Sequence, residues 1–271
     1  MSNEPQQPRG LYIVGTPIGN LGDMSSRAVD ILRTVDLIAC EDTRVFGKLA
    51  THFDIPTRRI ALHEHNERDV VDDLIAKILA GGSVALVSDS GMPGISDPGY
   101  RVIRAARAAG VHISVIPGPT AFASALVLSG FPTDRFSFLG FFKDEKHLRE
   151  DNKIRHTLIY YESPNRVHDT IAMMARIMPE RRLAIVREIT KIYEETIIGY
   201  PAELANVKEI KGEVVLVVDA APDVKMSDDE INSIVRDIVS AGHKTKDAAA
   251  EIATRTGISK SEAYEKVIKN G

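Results

Sequence analysis

Short β-branched segments alternate with longer amphipathic ones along the first part of this chain, and that rhythm limits the folds open to it. Leu11–Val14 is followed by an amphipathic stretch over Ser26–Arg33 and by a second apolar segment at Leu37–Cys40. The alternation continues with helical patterns at 70–79 and 101–109 and strand patterns at 84–87 and 113–116. Such a rhythm is typical of βαβ units around a parallel sheet. The sequence therefore predicts an α/β domain over residues 10–117.

A second α/β domain is predicted over residues 118–220. The turn Pro117–Pro119 breaks any continuing strand, and Thr120 opens an apolar helical run over Ala121–Leu128. The strand patterns beyond it are residues 136–140, 157–161, 183–187, 195–198 and 214–219, with one helix at 167–178. Because strands outnumber helices here, we expect a mixed or antiparallel sheet.

The two ends of the chain differ from these domains. Residues 1–9 contain Pro and Gln without an apolar run, which predicts a disordered tail rather than a signal peptide. Residues 226–271 predict a small helical appendage that begins at the capping pattern Ser227–Glu230. Its last two helices, with Gly257 between them, resemble a helix-turn-helix in length and turn placement. Acidic and basic residues nearly balance there, so a plain three-helix cap is the alternative.

Composition excludes several classes of protein. No apolar run approaches the length needed to cross a bilayer, so no membrane association is expected. The single cysteine, Cys40, excludes an intramolecular disulfide and favours a reducing, cytoplasmic compartment. A net charge of -4 argues against strong non-specific binding to nucleic acid, yet leaves room for a local basic patch. The arginines that could contact RNA phosphate, or simply be solvated, are Arg58, Arg59, Arg101, Arg104 and Arg107.

The loop Ser88–Gly99 carries most of the information about a ligand. It follows the apolar segment Val84–Val87 directly, and its three glycines and two prolines let the backbone turn tightly and approach a ligand closely. Ligands of open α/β sheets bind outside the carboxyl ends of the strands, where this loop begins. An ordinary strand-to-helix turn is the alternative, in which Asp97 would hydrogen-bond to its own loop.

Two familiar ligand classes are disfavoured. The glycines of Gly15–Gly22 match neither the dinucleotide fingerprint nor a P-loop, which leaves a different cofactor open. His63 and His65 lack further ligands at a recognisable spacing, so no metal site is predicted and a polar, substrate-facing loop fits better.

Six motifs in a fixed order point to a family. They are Gly15–Leu21, Glu41–Arg44, His63–Glu67, Ser88–Gly99, Pro117–Pro119 and Tyr161–Ser163. Over residues 10 to 219 the chain thereby resembles the tetrapyrrole-methylase superfamily, and within it the bacterial branch that 2'-O-methylates a cytidine ribose in small-subunit (16S) ribosomal RNA. The resemblance implies a homodimeric, two-domain methyltransferase that holds S-adenosylmethionine in the cleft between its domains. Its partner would be ribosomal RNA or the small ribosomal subunit.

The resemblance also implies site residues. The methyl donor would contact Pro17, Ser88, Asp89, Ser90, Met92, Pro93 and Ile95 of the first domain and Thr120, Ala121, Tyr161, Leu183 and Ala184 of the second. A ribose hydroxyl is a poor nucleophile unless its proton is accepted or its oxygen is polarised. The candidates for that role are Glu41, Asp42 and Arg44, which could equally form a structural ion pair, then Glu162, or Glu188 with Lys191.

One segment departs from that branch. Between Gly140 and Thr157 the branch usually continues with a proline and a long basic helix, whereas here Phe141–Lys146 leads quickly to the next strand. A tetrapyrrole C-methyltransferase is an alternative, although its shorter loop usually has Gly-Asp-Pro near the strand end. A non-enzymatic RNA- or ribosome-binding protein, with the C-terminal helices as its recognition module, is a second alternative.

Overall fold

The computed structural model describes residues 9–63, 66–208, 210–222, 228–241 and 243–270. The chain divides into two compact units between Ala221 and Pro222. Of the tail predicted at residues 1–9, only Arg9 falls among the described residues. The domain boundary predicted near residue 117 lies inside the larger unit and stays a prediction.

The first sheet is parallel and has the strand order β3-β2-β4-β1-β5. Its strands are β1 (Gly10–Val14), β2 (Leu37–Cys40), β3 (Arg59–Ala61), β4 (Ser83–Val87) and β5 (Ile113–Ile116). Helices α1 (Ser26–Thr34), α2 (Thr43–His52), α3 (Glu67–Leu79) and α4 (Tyr100–Ala108) join them. Every residue of β2 and β4 is buried, as expected for central strands covered on both faces. The predicted parallel βαβ architecture is confirmed.

The second sheet is mixed, as predicted, and has the order β6-β7-β10-β8-β9. Its strands are β6 (Phe136–Phe141), β7 (Thr157–Glu162), β8 (Leu183–Arg187), β9 (Glu195–Gly199) and β10 (Val214–Val218). Only β6 and β7 pair in parallel, and the other neighbours are antiparallel. The helices of this region are α5 (Ala121–Ser129), α6 (Glu145–Asp151), α7 (Val167–Ile177) and α8 (Pro201–Leu204).

Helix α6 fills part of the segment for which the sequence analysis predicts no helix. Asp144 caps it by accepting a hydrogen bond from the His147 backbone N–H at 2.9 Å, and Leu148 anchors it in the core. The segment between Gly140 and Thr157 therefore contains a short helix rather than a direct connection.

Both faces of the second sheet are covered. Residues Ile171 and Met174 of α7 pack with Leu216 on one face. On the other face, Leu126 of α5 packs in a cluster that also contains Ile18 from the loop after β1. This cluster brings the loop edge of the first sheet against the second sheet.

The smaller unit consists of α9 (Asp228–Ser240), α10 (Thr245–Thr256) and α11 (Lys260–Asn270). Its core contains Val235, Ile252 and Val267, and α10 ends at Gly257 in the left-handed conformation with φ 74°. The helical C-terminal end is thus confirmed, whereas its comparison with a helix-turn-helix stays a prediction. Over the whole described part of the chain, no helix is long and apolar enough to cross a membrane.

Candidate functional site

The loops after β1 and β4 lie side by side because these two strands are neighbours in the first sheet. The Thr16 backbone N–H donates to the Gly91 carbonyl at 2.9 Å, and the Gly91 N–H donates back to Thr16 at 3.2 Å. A third loop approaches them, since a Cβ on Gly15 would lie 2.6 Å from the Cα of Gly118. Only glycine permits that backbone contact. Three loops therefore form one compact edge.

The loop Ser88–Gly99 adopts the left-handed region at several positions. Gly91, Gly94 and Gly99 have φ of 79°, 81° and 127°, and Ser96 has φ 62°. The first three explain the glycine pattern of the sequence. The left-handed conformation of Ser96 costs about 1–3 kcal/mol, and strained residues of this kind cluster at functional sites. The chain therefore holds the residue next to Asp97 in a defined and unfavourable conformation.

A cavity of about 340 Å³ opens between this loop edge and the second sheet. Its volume falls in the range of small-molecule sites, roughly 300–1,000 Å³. The lining residues fall into two groups, one from the loops of the first sheet and one from the second sheet and its loops, which we name the first wall and the second wall. The first wall is Ile18, Ser90, Gly91, Met92, Ile95, Ser96 and Asp97. The second wall is Thr120, Ala121, Phe141, Tyr161, Glu162, Ser163, Pro164, Ile189, Gly212, Glu213, Val214 and Val215.

The structure brings together half of the residues predicted to contact a methyl donor. The cavity is lined by Ser90, Met92, Ile95, Thr120, Ala121 and Tyr161. Pro17, Ser88, Asp89 and Pro93 belong to the same loops, but none of these four described residues lines the cavity. Their contacts with a donor stay predictions.

Leu183 and Ala184, at the start of β8, do not line the cavity, and their contacts with a donor stay predictions. Val215 of the cavity pairs with Val186, whereas Leu183 pairs with Val218 at the far end of β10. At about 3.3 Å per residue, three residues place Leu183 roughly 10 Å along the strand from the cavity. Both side chains are fully buried. The end of β8 near the cavity leads instead to Ile189, which the sequence analysis does not select.

Phe141 is another lining residue that the sequence analysis does not place in the site. Its side chain is 55% exposed. The pairing of β6 with β7 shifts register between Phe138 and Phe141, and Gly140 has φ 70°. A glycine within a strand pattern often marks such an irregularity, so Gly140 was the available signal.

Aromatic rings continue from Phe141 into the core. Its ring lies 5.5 Å from that of Tyr161, which lies 4.8 Å from Phe138, and Phe138 stacks on Phe122 at 4.6 Å. The Phe122 backbone N–H donates to the Tyr161 hydroxyl at 3.3 Å. The inner rings thus fix the orientation of the second wall and leave Phe141 at its open side.

Glu41, Asp42 and Arg44 follow β2, and none of these three described residues lines the cavity. Asp42 caps α2, and Arg44 donates to both of its carboxylate oxygens, from Nε at 3.1 Å and Nη2 at 2.7 Å. These hydrogen bonds hold the pKa of Asp42 well below its usual range. The structural ion pair that the sequence left open is present, and the Arg44 side chain is 89% exposed.

Three carboxyl groups near the first wall, those of Glu41, Asp89 and Asp97, take part in no ion pair among the described residues. Burial raises the pKa of Asp97 to about 6, the nearby charges of Glu41 and Asp89 add to that effect, and the nearby Ser88 hydroxyl opposes it. Burial also raises the pKa of Glu41 and of Asp89. Burial, assisted by neighbouring negative charge, favours proton uptake at this edge of the cavity.

Hydrogen-bond donors and cations surround the carboxyl groups of the second wall. The buried Glu162 accepts hydrogen bonds from the Ser163 N–H and the Thr170 hydroxyl, both at 2.6 Å, and pairs with Arg166 at 2.9 Å. Lys191 donates to Glu188 and to Glu213, both at 2.8 Å. The hydrogen bond from Lys191 lowers the pKa of Glu188.

The remaining predicted candidates lie outside the cavity lining. Arg58, Arg59, Arg101, Arg104 and Arg107 are exposed at the surface. His63 is described, and His65 lies outside the described residues. Within the described ranges, no three His, Cys, Asp or Glu side chains are arranged to hold a metal ion.

Comparison with known proteins assigns this architecture to a family. The family model for tetrapyrrole (corrin/porphyrin) methylases matches residues 10–205. "Ribosomal RNA small subunit methyltransferase I" of Vibrio cholerae is 41% identical, over 100% of this chain and 99% of its own length. The protein of the same name from Halalkalibacterium halodurans is 40% identical, over 94% of this chain and 93% of its own length.

Solved structures agree at the level of the fold. A crystal structure of diphthine synthase superposes with a TM-score of 0.62, at 16% identity, over 78% of this chain and 89% of the other. At that identity the match supports the architecture alone.

Proposed function

Because the chain belongs to the tetrapyrrole methylase family, in the branch of the ribosomal RNA small subunit methyltransferase I proteins, we propose that it 2'-O-methylates a cytidine ribose in small-subunit ribosomal RNA. S-adenosylmethionine would be the methyl donor. One observation carries the proposal: sequence identity of about 40% to these relatives extends over nearly the whole chain.

The cavity suits S-adenosylmethionine chemically. This donor presents an adenine, a sulfonium, an ammonium and a carboxylate, so its site needs apolar surface together with backbone and side-chain polar groups. Met92, Ile95 and Val215 supply apolar surface, while Ser90 and Thr120 supply hydroxyl groups. The Gly91 position leaves the loop backbone bare of a side chain toward the cavity. We therefore assign the donor to this cavity, with the first wall and Thr120, Ala121 and Tyr161 around it.

In such a reaction the protein aligns the ribose oxygen with the methyl group and accepts the hydroxyl proton. S-adenosylmethionine supplies an activated methyl group when bound. Holding the ribose oxygen in line with that group removes much of the entropic cost of meeting it. Because the loop edge is fixed by the paired loops of Thr16 and Gly91, the site is built before the substrate arrives.

The proposal includes a homodimer that acts in the cytoplasm on ribosomal RNA or the small subunit. Support for self-association comes from α5, which is apolar on nearly all faces although Val127 is 75% exposed. A helix that is hydrophobic all round is normally buried, so α5 favours a covering partner.

The test supplies purified protein with methyl-labelled S-adenosylmethionine and small ribosomal subunits that lack the modification. We expect label in ribosomal RNA, recovered as 2'-O-methylcytidine after nuclease digestion. Free 16S RNA and fully modified subunits serve as the matched substrates. Absence of label from all of them, or label on a base carbon or nitrogen, would contradict the proposal.

A further inference from the structure

Three carboxyl groups line the cavity, and they differ in their partners. Glu162 is buried and satisfied by Ser163, Thr170 and Arg166. Glu213 is paired with Lys191. Among the ion pairs of the described residues, Asp97 takes part in none, and the nearby Ser88 hydroxyl donates to the carbonyls of Ser90 and Gly91 at 3.3 and 3.4 Å.

Of the residues selected earlier for proton transfer, Asp42 and Glu188 are engaged by other groups, and Glu41 lies outside the cavity lining. Both oxygens of Asp42 accept from Arg44, outside the cavity lining. Glu188 accepts from Lys191 and from the Glu213 backbone N–H, at 2.8 and 3.0 Å. A general base must have an oxygen available to the proton that it removes. Within the described lining, Asp97 alone meets that requirement without losing a cation partner.

We propose that Asp97 is the catalytic base, which accepts the proton of the ribose hydroxyl as the methyl group is transferred. This inference rests on the proposed function and adds to it the residue that activates the nucleophile. The neighbours of Asp97 act on its charge: Glu41 lies after β2, Asp89 lies in the same loop, and Tyr161 faces it from β7.

The proposed step balances. The ribose oxygen forms a bond to the methyl carbon, and the carbon–sulfur bond breaks with its electron pair left on sulfur. The hydroxyl proton passes to a carboxylate oxygen of Asp97. The negative carboxylate and the positive sulfonium are both neutral afterwards, and Asp97 releases its proton to water before the next cycle.

The electrostatic setting favours this role near neutral pH. Burial, together with the charges of Glu41 and Asp89, raises the pKa of Asp97 to about 6. The carboxyl group is then ionised at pH 7 to 8, yet it is a stronger base than an ordinary aspartate. The cations on the other side of the cavity, Arg166 and Lys191, are engaged with Glu162 and with Glu188 and Glu213.

The experiment compares wild type, Asp97→Asn and the control Asp134→Asn, an exposed aspartate before β6. Single-turnover methyl transfer is measured from pH 5 to 8.5 with saturating S-adenosylmethionine and unmodified small subunits, and affinity for S-adenosylhomocysteine is measured by calorimetry. We expect Asp97→Asn to lose about 10²- to 10⁴-fold in rate, with affinity changed less than about threefold. The wild-type rate should fall tenfold per pH unit below about pH 6, and Asp134→Asn should match wild type.

Three results would overturn the assignment. The first is an Asp97→Asn rate within about fivefold of wild type, since a base contributes far more. The second is an affinity loss as large as the rate loss, which would make Asp97 a ligand of the donor. The third is a wild-type rate independent of pH over this range, which decides the matter even where the variant fails to fold. Wild-type protein that transfers no methyl group would overturn the proposed function itself, and the assignment with it.

Discussion

The two walls of the cavity hold their acidic groups in opposite ways. On the first wall, Asp97 shares its surroundings with Glu41 and Asp89, and its pKa is raised to about 6. On the second wall, Glu162 has a cation and two hydrogen-bond donors, and Glu213 has Lys191. The first wall consists of loops with left-handed backbone, whereas most of the second consists of strand ends and the residues next to them.

This difference suits the acidic groups of the first wall to proton transfer and those of the second wall to stabilising the fold. Groups that repel one another store free energy that proton uptake releases, which is useful in catalysis and costly for stability. Groups with full sets of partners stabilise the fold and are poor proton acceptors. We therefore expect substitutions on the second wall to lower stability and substitutions of Asp97 to lower activity while raising stability.

The largest stability effect should come from Glu162→Ala. The change leaves the Ser163 N–H, the Thr170 hydroxyl and Arg166 without their buried acceptor, and we expect unfolding to become about 3–5 kcal/mol easier. Urea denaturation measures the loss. Glu213→Ala is the matched change, and its exposed pair with Lys191 should cost less than about 1 kcal/mol. Equal losses of stability in the two variants would show that the buried partners of Glu162 contribute no more than the exposed pair of Glu213.

Asp97→Asn should change stability in the opposite direction. A carboxyl group whose pKa is raised from 3.8 to about 6 by folding destabilises the native state where it is ionised, by at most about 3 kcal/mol at about 1.4 kcal/mol per pKa unit. Its penalty is full above about pH 6 and disappears as pH falls toward 4. The variant should therefore be about 1–3 kcal/mol more stable than wild type at pH 8, and equal to it near pH 4. A variant that is less stable at pH 8 would show that Asp97 is a structural group.

Phe141→Ala should affect the substrate rather than the donor. An exposed ring at a cavity suits stacking of a base, which is worth about 1–3 kcal/mol per base. We expect KM for small subunits to rise about 5- to 30-fold, and affinity for S-adenosylhomocysteine to change less than about threefold. Phe136→Ala, on the same strand and outside the cavity lining, is the control and should leave both unchanged. If affinity for S-adenosylhomocysteine falls instead, the ring belongs to the donor site.

The smallest effect should come from Arg44→Gln. This exposed side chain can contact phosphate, and loss of one such contact should lower the slope of log affinity against log salt by about 0.7–0.9. Subunit affinity should fall about two- to fivefold at 0.1 M salt, with the rate at saturation unchanged. Titrations at several salt concentrations measure the slope. A large fall in the saturated rate would return Arg44 to the catalytic group.

The fold was predictable where strands are central and buried. The segments of β2 and β4 are apolar apart from Ser83, so their identity follows from the sequence alone. No element is predicted from the sequence at α2, whose first residues belong to the motif Glu41–Arg44, or at α8. β3 and α6 are also missed, because β3 is a three-residue edge strand and α6 has only two turns. Neither has a hydrophobic pattern long enough to be recognised.

The site was predictable where its residues follow one another along the chain. Ser90, Met92 and Ile95 belong to one glycine-rich loop after a buried strand, and the pattern itself marks a ligand site. Phe141 and Ile189 reach the cavity through the pairing of distant strands, which no local pattern records. The direction of β8 relative to β10 likewise places Leu183 away from the cavity, and it could not be read from the residues of β8.

Calorimetric titration with S-adenosylhomocysteine tests most directly whether the cavity between the two walls is the donor site. Wild-type protein is compared with Thr120→Trp, which fills the cavity, and with Thr120→Ser as the control. We expect micromolar binding to wild type and to the serine variant, and no binding to a tryptophan variant that unfolds at the wild-type temperature. Absence of heat and of a thermal shift with wild type, or undiminished binding to Thr120→Trp, would contradict the assignment of the donor to this cavity.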